Sequence, residues 1–251
     1  MGTLRSVAEG EYVRAEPRQT DGISINGIPA DLEHTRKADI RIDLVSGRDR
    51  TFVAEHVLGP LYLRGVTAAD IVGTVEEWDF ARPEHRFCYA TDLGPEAVVG
   101  HPAGLPNPGL ATALGDAEIA ETDGRARGTV TETVEYGVNG GTIRIEPRGF
   151  RAGPELDLRY DGSSFRCTVP PGGADEAVIE SVTNATTPYL APDGETAVTH
   201  AVADVLSDVV VIGGLEDVRI EAELCEAYHS LTVGGARRTR ELGAYTERGD
   251  D

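Results

Sequence analysis

The sequence predicts an α+β fold built from two similar strand-rich halves, each laying one helix on a sheet. The first observation is a repeated hexapeptide: VRAEPR (13–18) and IRIEPR (143–148) differ only by apolar exchanges at two positions and alternate as strands do. The second is that each half continues with strand-like segments and then reaches an apolar stretch with a histidine near its start. An internal duplication accounts for both observations, whereas the alternative is a chance similarity of six residues.

The first half, residues 1–122, places further strands in ISINGIPA and ADIRIDLVSG and its helix in TFVAEHVLGPLYLRG, and ADIVGTVEEW follows as another strand. Pro60 lies four residues after His56. Because a proline inside a helix costs about 3 kcal/mol, this helix is expected either to start late or to kink at Pro60. The Pro- and Gly-rich stretch 93–116 is expected to be a loop with at most a short helix at its end.

The two halves are expected to meet in the polar, turn-rich segment EIAETDGRARG at 118–128. The second half, residues 123–251, repeats the order of the first. Its strands lie in LDLRYDG and FRCTVPP, its helix lies in TAVTHAVADVLSDVVVIGG, and EDVRIEAEL follows as a strand.

The charge of the chain limits its partners. Asp and Glu number 43 against 23 Lys and Arg, which gives a net charge of -20, and Lys37 is the single lysine. An acidic surface with almost no lysine is typical of a protein that stays soluble at very high salt, although acidic drift in a high-GC genome would leave the same pattern. Nucleic acid is not expected as a partner, because there is no basic patch to neutralise phosphates.

A cytoplasmic location is expected, without membrane insertion. No apolar run approaches the ~20 residues of a membrane helix, and the N-terminal residues lack the apolar core of a signal peptide. Cys88, Cys167 and Cys225 are odd in number and widely spaced, which supports neither a disulfide framework nor a cysteine zinc site.

A candidate metal site lies in the segment THAVADVLSD of the second-half helix. His200, Asp204 and Asp208 are spaced i, i+4 and i+8, which places them on one side of a helix. His200 and Asp204 can bind one metal ion, and His56 completes a His/His/Asp set if the two helices pack together. Glu55 would then lie beside the metal as a general base, and Asp208 would orient a second group by hydrogen bonding.

The residues also allow an interpretation without a metal. Both histidines would lie in the first turn of a helix, where such residues are often partly exposed, and the aspartates could face solvent in so acidic a protein. The other histidines, His34, His85 and His101, lie in polar or Pro-rich stretches and are expected at the surface.

These segments carry a resemblance to a known family. The chain resembles the zinc-dependent UDP-3-O-acyl-N-acetylglucosamine deacetylases of lipid A synthesis in TFVAEHVLGPLYLRGV, TETVEYGVNGGTIRIEPRGF, HAVADVLSDVVVIGG and AYHSLTVGGARRTREL. The resemblance covers most of the chain, and a divergent haloarchaeal type of homologue would fit the composition. It implies two halves of the ribosomal-protein-S5-domain-2-like type, with the helices packed between sheets.

The resemblance also assigns roles to residues. It implies that Zn²⁺ is held by His56, His200 and Asp204. It further implies a general base, a carboxylate that supports the catalytic histidine, and a threonine near the substrate carbonyl, which fall on Glu55, Asp208 and Thr183.

At two other positions where the family has a functional residue, the chain carries a different residue type. The catalytic histidine of the family falls on Thr232, which cannot protonate a leaving amine, and the lysine after the second-half ligand falls on Ala201. His229, three residues before Thr232, is the candidate to replace that acid. Tyr228 and Ser230 match neighbouring positions of the closing segment without an assigned role.

The expected function is therefore that of a zinc amidohydrolase that removes an N-acyl group, in the first place acetyl, from an amino sugar or UDP-amino sugar. Tyr189 and Leu190 are the only large apolar side chains in the stretch 182–199, where the family walls a passage for a fatty acyl chain, so a long-chain substrate is not expected. The alternatives are a catalytically degenerate homologue that binds metal, a sugar nucleotide or a partner protein without turnover, and a structural protein without metal.

Overall fold

A computed structural model describes residues 2–9, 13–38, 41–52, 54–73, 76–78, 86–89, 108–121, 128–149, 153–170, 172–184, 194–213 and 217–247. Over these ranges the fold is mixed α/β and rich in strands. The described helices are α1 (Glu55–Leu63), α2 (Pro108–Asp116), α3 (Glu176–Asn184), α4 (Gly194–Val210) and α5 (His229–Glu241).

The strands of the described residues number 19. In chain order they are β1 (Gly2–Leu4), β2 (Ala8–Glu9), β3 (Val13–Glu16), β4 (Gly22–Ile25), β5 (Ile28–Pro29), β6 (Thr35–Ala38), β7 (Arg41–Ser46), β8 (Asp49–Phe52), β9 (Val66–Gly73), β10 (Glu76–Trp78), β11 (Arg86–Tyr89), β12 (Ile119–Glu121), β13 (Gly128–Val130), β14 (Val134–Val138), β15 (Gly141–Pro147), β16 (Glu155–Tyr160), β17 (Ser163–Thr168), β18 (Val218–Glu223) and β19 (Tyr245–Glu247).

The strands form three larger sheets and one short pair. Sheet I has the order β12-β1-β9-β3-β2, with β4 also paired to β9 and β5 to β4. Sheet II has the order β10-β11-β8-β7-β6, and sheet III has the order β14-β15-β18-β16-β17. The short pair joins β13 to β19.

Sheets I and III contain the same arrangement of five strands. The path β2-β3-β9-β4-β5 in sheet I and the path β14-β15-β18-β16-β17 in sheet III both pair antiparallel, antiparallel, parallel and antiparallel in turn. In each path one helix directly precedes the central strand in the chain. Helix α1 precedes β9 of sheet I, and helix α4 precedes β18 of sheet III.

The repeated hexapeptide occupies equivalent places in the two paths. Ala15 of β3 lies opposite Ile71, and Ile145 of β15 lies opposite Ile220. The apolar residues of both strands are buried, as the alternation of the sequence predicted. On the other face, Arg14 pairs with Glu16 at 2.7 Å and Arg144 pairs with Glu146 at 2.9 Å.

The helices lie between sheets I and III. Helix α1 contacts β9 of sheet I and packs along α4, which in turn contacts β16 and β17 of sheet III, and α5 packs against α4, β14 and β15. Because α4 has neighbours on several sides, its residues from Ala197 to Val210 are all buried. This environment explains why the sequence of α4 is apolar almost all round.

The structure decides two questions about where helices begin. Helix α1 begins at Glu55 and runs through Pro60, so the alternative of a late start is ruled out. Helix α4 begins at Gly194, which places His200 well inside the helix rather than in its first turn. The stretch that precedes α4, 185–193, lies outside the described residues.

Other expectations concern the segments between elements. Helix α2 closes the Pro- and Gly-rich stretch as expected, while residues 93–107 lie outside the described part of the chain. In the segment 118–128, β12 pairs with β1 of sheet I and β13 pairs with β19, and residues 122–127 are not described. The division into residues 1–122 and 123–251 stays a prediction.

None of the helices in the described ranges has both the length and the apolar character that crossing a membrane requires. Among the cysteines, Cys167 and Cys225 are free thiols.

A glycine allows α1 and α4 to approach closely. A Cβ added to Gly59 of α1 would lie 2.6 Å from the Cβ of Ala203 in α4 and 3.0 Å from its Cα. Gly59 lies one turn after His56, and Ala203 directly precedes Asp204. The crossing therefore determines how closely the histidine of α1 can approach the aspartate of α4.

We expect Gly59→Ala to lower the free energy of unfolding by about 1 kcal/mol, since overpacking typically costs about 1–3 kcal/mol and the better helix propensity of alanine offsets about 1 kcal/mol. Urea denaturation at equilibrium measures the change. Gly149→Ala is the control because a Cβ there meets open space. A Gly59→Ala protein more stable than the wild type would contradict the close crossing.

Candidate metal centre

The three predicted ligands come together where α1 crosses α4. His56 lies in the first turn of α1, and His200 and Asp204 lie one turn apart on α4. One ligand atom from each residue lies within 4.8 Å of the other two, and all three residues are buried. The predicted His/His/Asp cluster is therefore present as a group that can hold a metal ion, and the expectation of partly exposed side chains is wrong.

The ring nitrogens of both histidines point to the same carboxylate. His200 Nε2 lies 3.2 Å from Asp204 Oδ2, and His56 Nε2 lies 3.9 Å from Asp204 Oδ1. The two imidazole rings meet edge to face, with centroids 5.3 Å apart. Ligands about 2.0 Å from a tetrahedral ion lie roughly 3.3 Å from one another, so ligand atoms that lie within 4.8 Å of one another would have to move closer together to bind one ion.

An unsatisfied acceptor supports the fit of a cation. Asp204 Oδ1 is buried and has no hydrogen-bond partner among the described residues. A buried oxygen without a donor is costly, and a metal ion would remove that cost. Two imidazole nitrogens and one carboxylate oxygen form a donor set that suits zinc and other divalent transition metals.

The protonation states also suit metal binding. Burial lowers the pKa of His56 to about 3, with Asp204 acting against the shift, so this imidazole stays neutral and keeps a lone pair for a metal. Burial alone would raise the pKa of Asp204, but His200, His229 and His56 outweigh it and the pKa falls below its ordinary value. The ligand carboxylate is therefore ionised.

Glu55 lies beside the cluster and is held by strand β7. Its carboxylate oxygen Oε2 accepts the amide N–H of Ile42 at 3.0 Å, and the carbonyl of Ile42 accepts the amide of Ala54 at 3.1 Å. Burial raises the pKa of Glu55 well above its ordinary value, with His229 opposing the shift and Asp204 adding to it. A cation bound in the cluster would lower that pKa again, because an opposite charge favours the ionised carboxylate.

Asp208 is hydrogen-bonded to a histidine, and the imidazole comes from His229. Asp208 Oδ2 accepts a hydrogen bond from His229 Nδ1 at 2.7 Å and another from Thr232 Oγ1 at 2.5 Å. His229 is the first residue of α5, and its Nε2 lies 3.9 Å from Asp204 Oδ2. The chain thus places an imidazole at this carboxylate from one turn earlier on the helix than position 232.

The charge environment keeps a proton on His229. Burial alone would lower its pKa, but Asp208 first and then Asp204 and Glu55 raise it to about 10. Burial also raises the pKa of Asp208, although His229 works against this shift. At neutral pH the site of the metal-free protein therefore contains an imidazolium that can donate a proton.

Tyr228 contacts the cluster, although the sequence pattern did not predict this contact. Its hydroxyl donates to Asp204 Oδ2 at 2.5 Å, and the side chain is buried next to His229. Burial raises the pKa of Tyr228 well above its ordinary value, and Asp204 adds to the shift, so the phenol stays neutral. Tyr228 directly precedes the candidate acid His229 in the sequence. This position alone does not indicate that its side chain contacts Asp204 of α4.

The remaining predicted residues lie elsewhere or outside the described residues. The backbone of Thr183 belongs to α3, but its side chain is not described. His34 is partly buried and its Nδ1 lies 2.8 Å from Asp31, while His85 and His101 lie outside the described residues. Ser230 accepts a hydrogen bond from Lys37 of β6, which joins sheet II to the start of α5.

No model of a known protein family matches the chain, and a comparison with curated proteins finds no match either. The function therefore has to be inferred from the chemistry of the buried cluster.

We expect the metal-free protein to lose stability as the pH rises from about 7 to 9. Between about 6.5 and 10 the folded state keeps a proton on His229 that the unfolded state has released, so each pH unit costs up to about 1.4 kcal/mol. Asp208→Asn should flatten this slope, because the main cause of the raised pKa is removed.

The measurement is denaturant unfolding of chelator-treated protein at a series of pH values. Asp157→Asn, on the outer face of sheet III, is the control and should keep the wild-type slope. Equal slopes for Asp208→Asn and the wild type would contradict the assignment of the bound proton to the Asp208–His229 pair.

Proposed function

We propose that the protein is a zinc-dependent amidohydrolase that removes an N-acetyl group from an amino sugar or UDP-amino sugar. The observation that carries the proposal is the buried His56, His200 and Asp204 cluster with Glu55 beside it and the imidazole of His229 next to its carboxylate. Metal ligands, a general base and a general acid are the groups that metal-assisted hydrolysis of an amide uses.

His56, His200 and Asp204 would hold the metal ion. A bound zinc ion supplies Lewis acidity, which polarises a carbonyl group and lowers the pKa of water to about 7. Three protein ligands leave a coordination position open, as in catalytic rather than structural zinc sites.

The other buried side chains would move the protons. Glu55 would accept a proton from the attacking water while the water oxygen bonds to the amide carbon, and the amide N–H of Ile42 keeps the carboxylate in place. His229, oriented by Asp208, would donate its proton to the nitrogen as the C–N bond breaks. Acetate and the free amine leave. The proposed help of Thr183 at the carbonyl oxygen rests on the family resemblance alone.

The architecture supports a relationship to the UDP-3-O-acyl-N-acetylglucosamine deacetylases. We propose that residues 1–122 and 123–251 are copies of one ribosomal-protein-S5-domain-2-like unit. The support for this is the shared five-strand path of sheets I and III, the matched hexapeptides and the helices between the sheets. The ligands would then come from both copies.

The position of His229 favours turnover over binding alone. A binder without activity was the alternative because Thr232 replaces the acid histidine of the family. The structure places an imidazole on Asp208 nevertheless, and the proposed base Glu55 is retained. For the substrate we propose a small N-acetylated sugar or its nucleotide, because the stretch 182–199 offers few apolar side chains for a fatty chain.

We expect about one zinc ion per purified chain, and His200→Ala should lower this occupancy strongly because it removes one of three ligands. Elemental analysis by mass spectrometry measures the metal content. His34→Ala, a histidine outside the cluster, is the control and should retain zinc. A wild-type protein that holds no transition metal, even after reconstitution with zinc, would rule out the metal site.

We expect Glu55→Gln and His229→Gln to keep the metal but to lower turnover by about 10²–10⁴-fold each, the usual scale for a lost general base or acid. The measurement is release of free amine from a panel of N-acetylated sugars and UDP-sugars. Glu176→Gln is the control because Glu176 is exposed and pairs only with Arg64 among the described residues. Full activity of Glu55→Gln on a confirmed substrate would show that Glu55 is not the base.

A further inference from the structure

The two oxygens of Asp204 have different surroundings. Oδ2 accepts a hydrogen bond from the hydroxyl of Tyr228 at 2.5 Å and lies near the imidazoles of His200 and His229. Oδ1 faces His56 Nε2 at 3.9 Å and has no hydrogen-bond partner among the residues that the structure describes. One oxygen is therefore engaged by a donor, and the other is available to a cation.

Tyr228 is held firmly in this position. Ala227 before it has a φ of 62°, a left-handed conformation that costs a residue with a side chain roughly 1–2 kcal/mol. The carbonyl of Tyr228 accepts the amides of Leu231 and Thr232 in the first turn of α5. The ring packs edge to face on Tyr160 at 6.3 Å and against His229 at 5.0 Å. Strained backbone of this kind clusters at functional sites.

We propose that Tyr228 is a positioning residue of the metal centre: its hydroxyl holds Oδ2 of Asp204 and leaves Oδ1 as the single ligating oxygen. The inference rests on the metal site of the proposed function and adds a residue to it. Tyr228 would act through the ligand carboxylate, because its hydroxyl contacts Asp204.

The chemical consequence is a lower coordination number. A carboxylate can bind a cation through one oxygen or through both. If Tyr228 engages Oδ2, only one coordination position is taken by Asp204, and a further position stays open for water or substrate. Without the hydroxyl, both oxygens are free to bind, and the orientation of the ligand is lost.

Tyr228→Phe tests the proposal with the metal alone, because it removes the hydroxyl and keeps the ring. Zn²⁺ affinity, measured by competition with a chelator, should fall about 10–100-fold, the usual effect of losing an outer-sphere partner. The visible spectrum of the Co²⁺-substituted protein should also change, with weaker absorption that indicates a higher coordination number. Tyr160→Phe is the matched control and should leave both measurements unchanged.

A double-mutant cycle with Asp204→Asn separates this role from a general effect on packing. If Tyr228 acts through Asp204, Tyr228→Phe should cost little further Zn²⁺ affinity once Asp204 has been replaced. The Co²⁺ spectrum reports only folded, metal-bound protein, so reduced stability of the variant cannot mimic the result.

The outcomes distinguish the two proposals. A wild-type protein that binds neither Zn²⁺ nor Co²⁺ overturns the proposed function and the positioning role together. A wild-type protein that binds both metals, with unchanged affinity and spectrum in Tyr228→Phe, overturns the role of Tyr228 only. Fully additive losses in the cycle also overturn it.

Discussion

The close crossing of α1 and α4 is the contact on which the candidate site depends. Gly59 has no side chain to keep Ala203 away. The hydroxyl of Ser207 on α4 lies 2.6 Å from the carbonyl oxygen of Ala203 and 3.1 Å from that of Glu55, so its proton is shared between the two helices. These contacts bring the first turn of α1 to the middle of α4, where His200, Asp204 and Asp208 lie along one side of the helix. A wider separation of the helices would leave His56 facing apolar residues and would leave Asp204 without its second imidazole.

The same crossing places six ionisable side chains in a region that water hardly reaches: Glu55, His56, His200, Asp204, Asp208 and His229. Isolated charges would be very costly there, and the arrangement limits this cost by pairing them. His229 with Asp208 forms one hydrogen-bonded ion pair, and burial keeps His56 neutral. Asp204 accepts the hydroxyl of Tyr228 and lies 3.2 Å from His200 Nε2. Two buried carboxylate oxygens of this group, Asp204 Oδ1 and Asp208 Oδ1, have no hydrogen-bond partner among the described residues. Of these two, Asp204 Oδ1 faces His56 Nε2, so it is the oxygen that a cation bound between the histidines would compensate.

Sequence patterns predicted what depends on local periodicity. Alternation identified β3 and β15, and the i, i+4, i+8 spacing identified the stripe of α4. The contacts of Tyr228 with Asp204 and of Ile42 with Glu55 were missed because each joins side chains or backbone groups from different elements. Every residue except proline has an amide N–H, so residue types alone cannot predict that Ile42 binds Glu55. The start of α4 was misplaced because three residues that favour the N-cap, Asp193, Thr196 and Thr199, precede His200, and the sequence pattern does not choose between them.

The topology has a consequence for how the molecule can be assembled. No strand pair within the described ranges joins a residue before 122 to a residue after 127, so the two parts of the chain meet mainly through packed side chains of helices and the contacts of sheet II with α5. A chain cut in this segment would leave two fragments, each with a complete hydrogen-bonded sheet. Neither fragment would contain the whole candidate ligand set, since His56 belongs to one and His200 and Asp204 to the other. If the cluster binds a metal ion, its affinity would appear only when the fragments associate and would report directly on their reassembly.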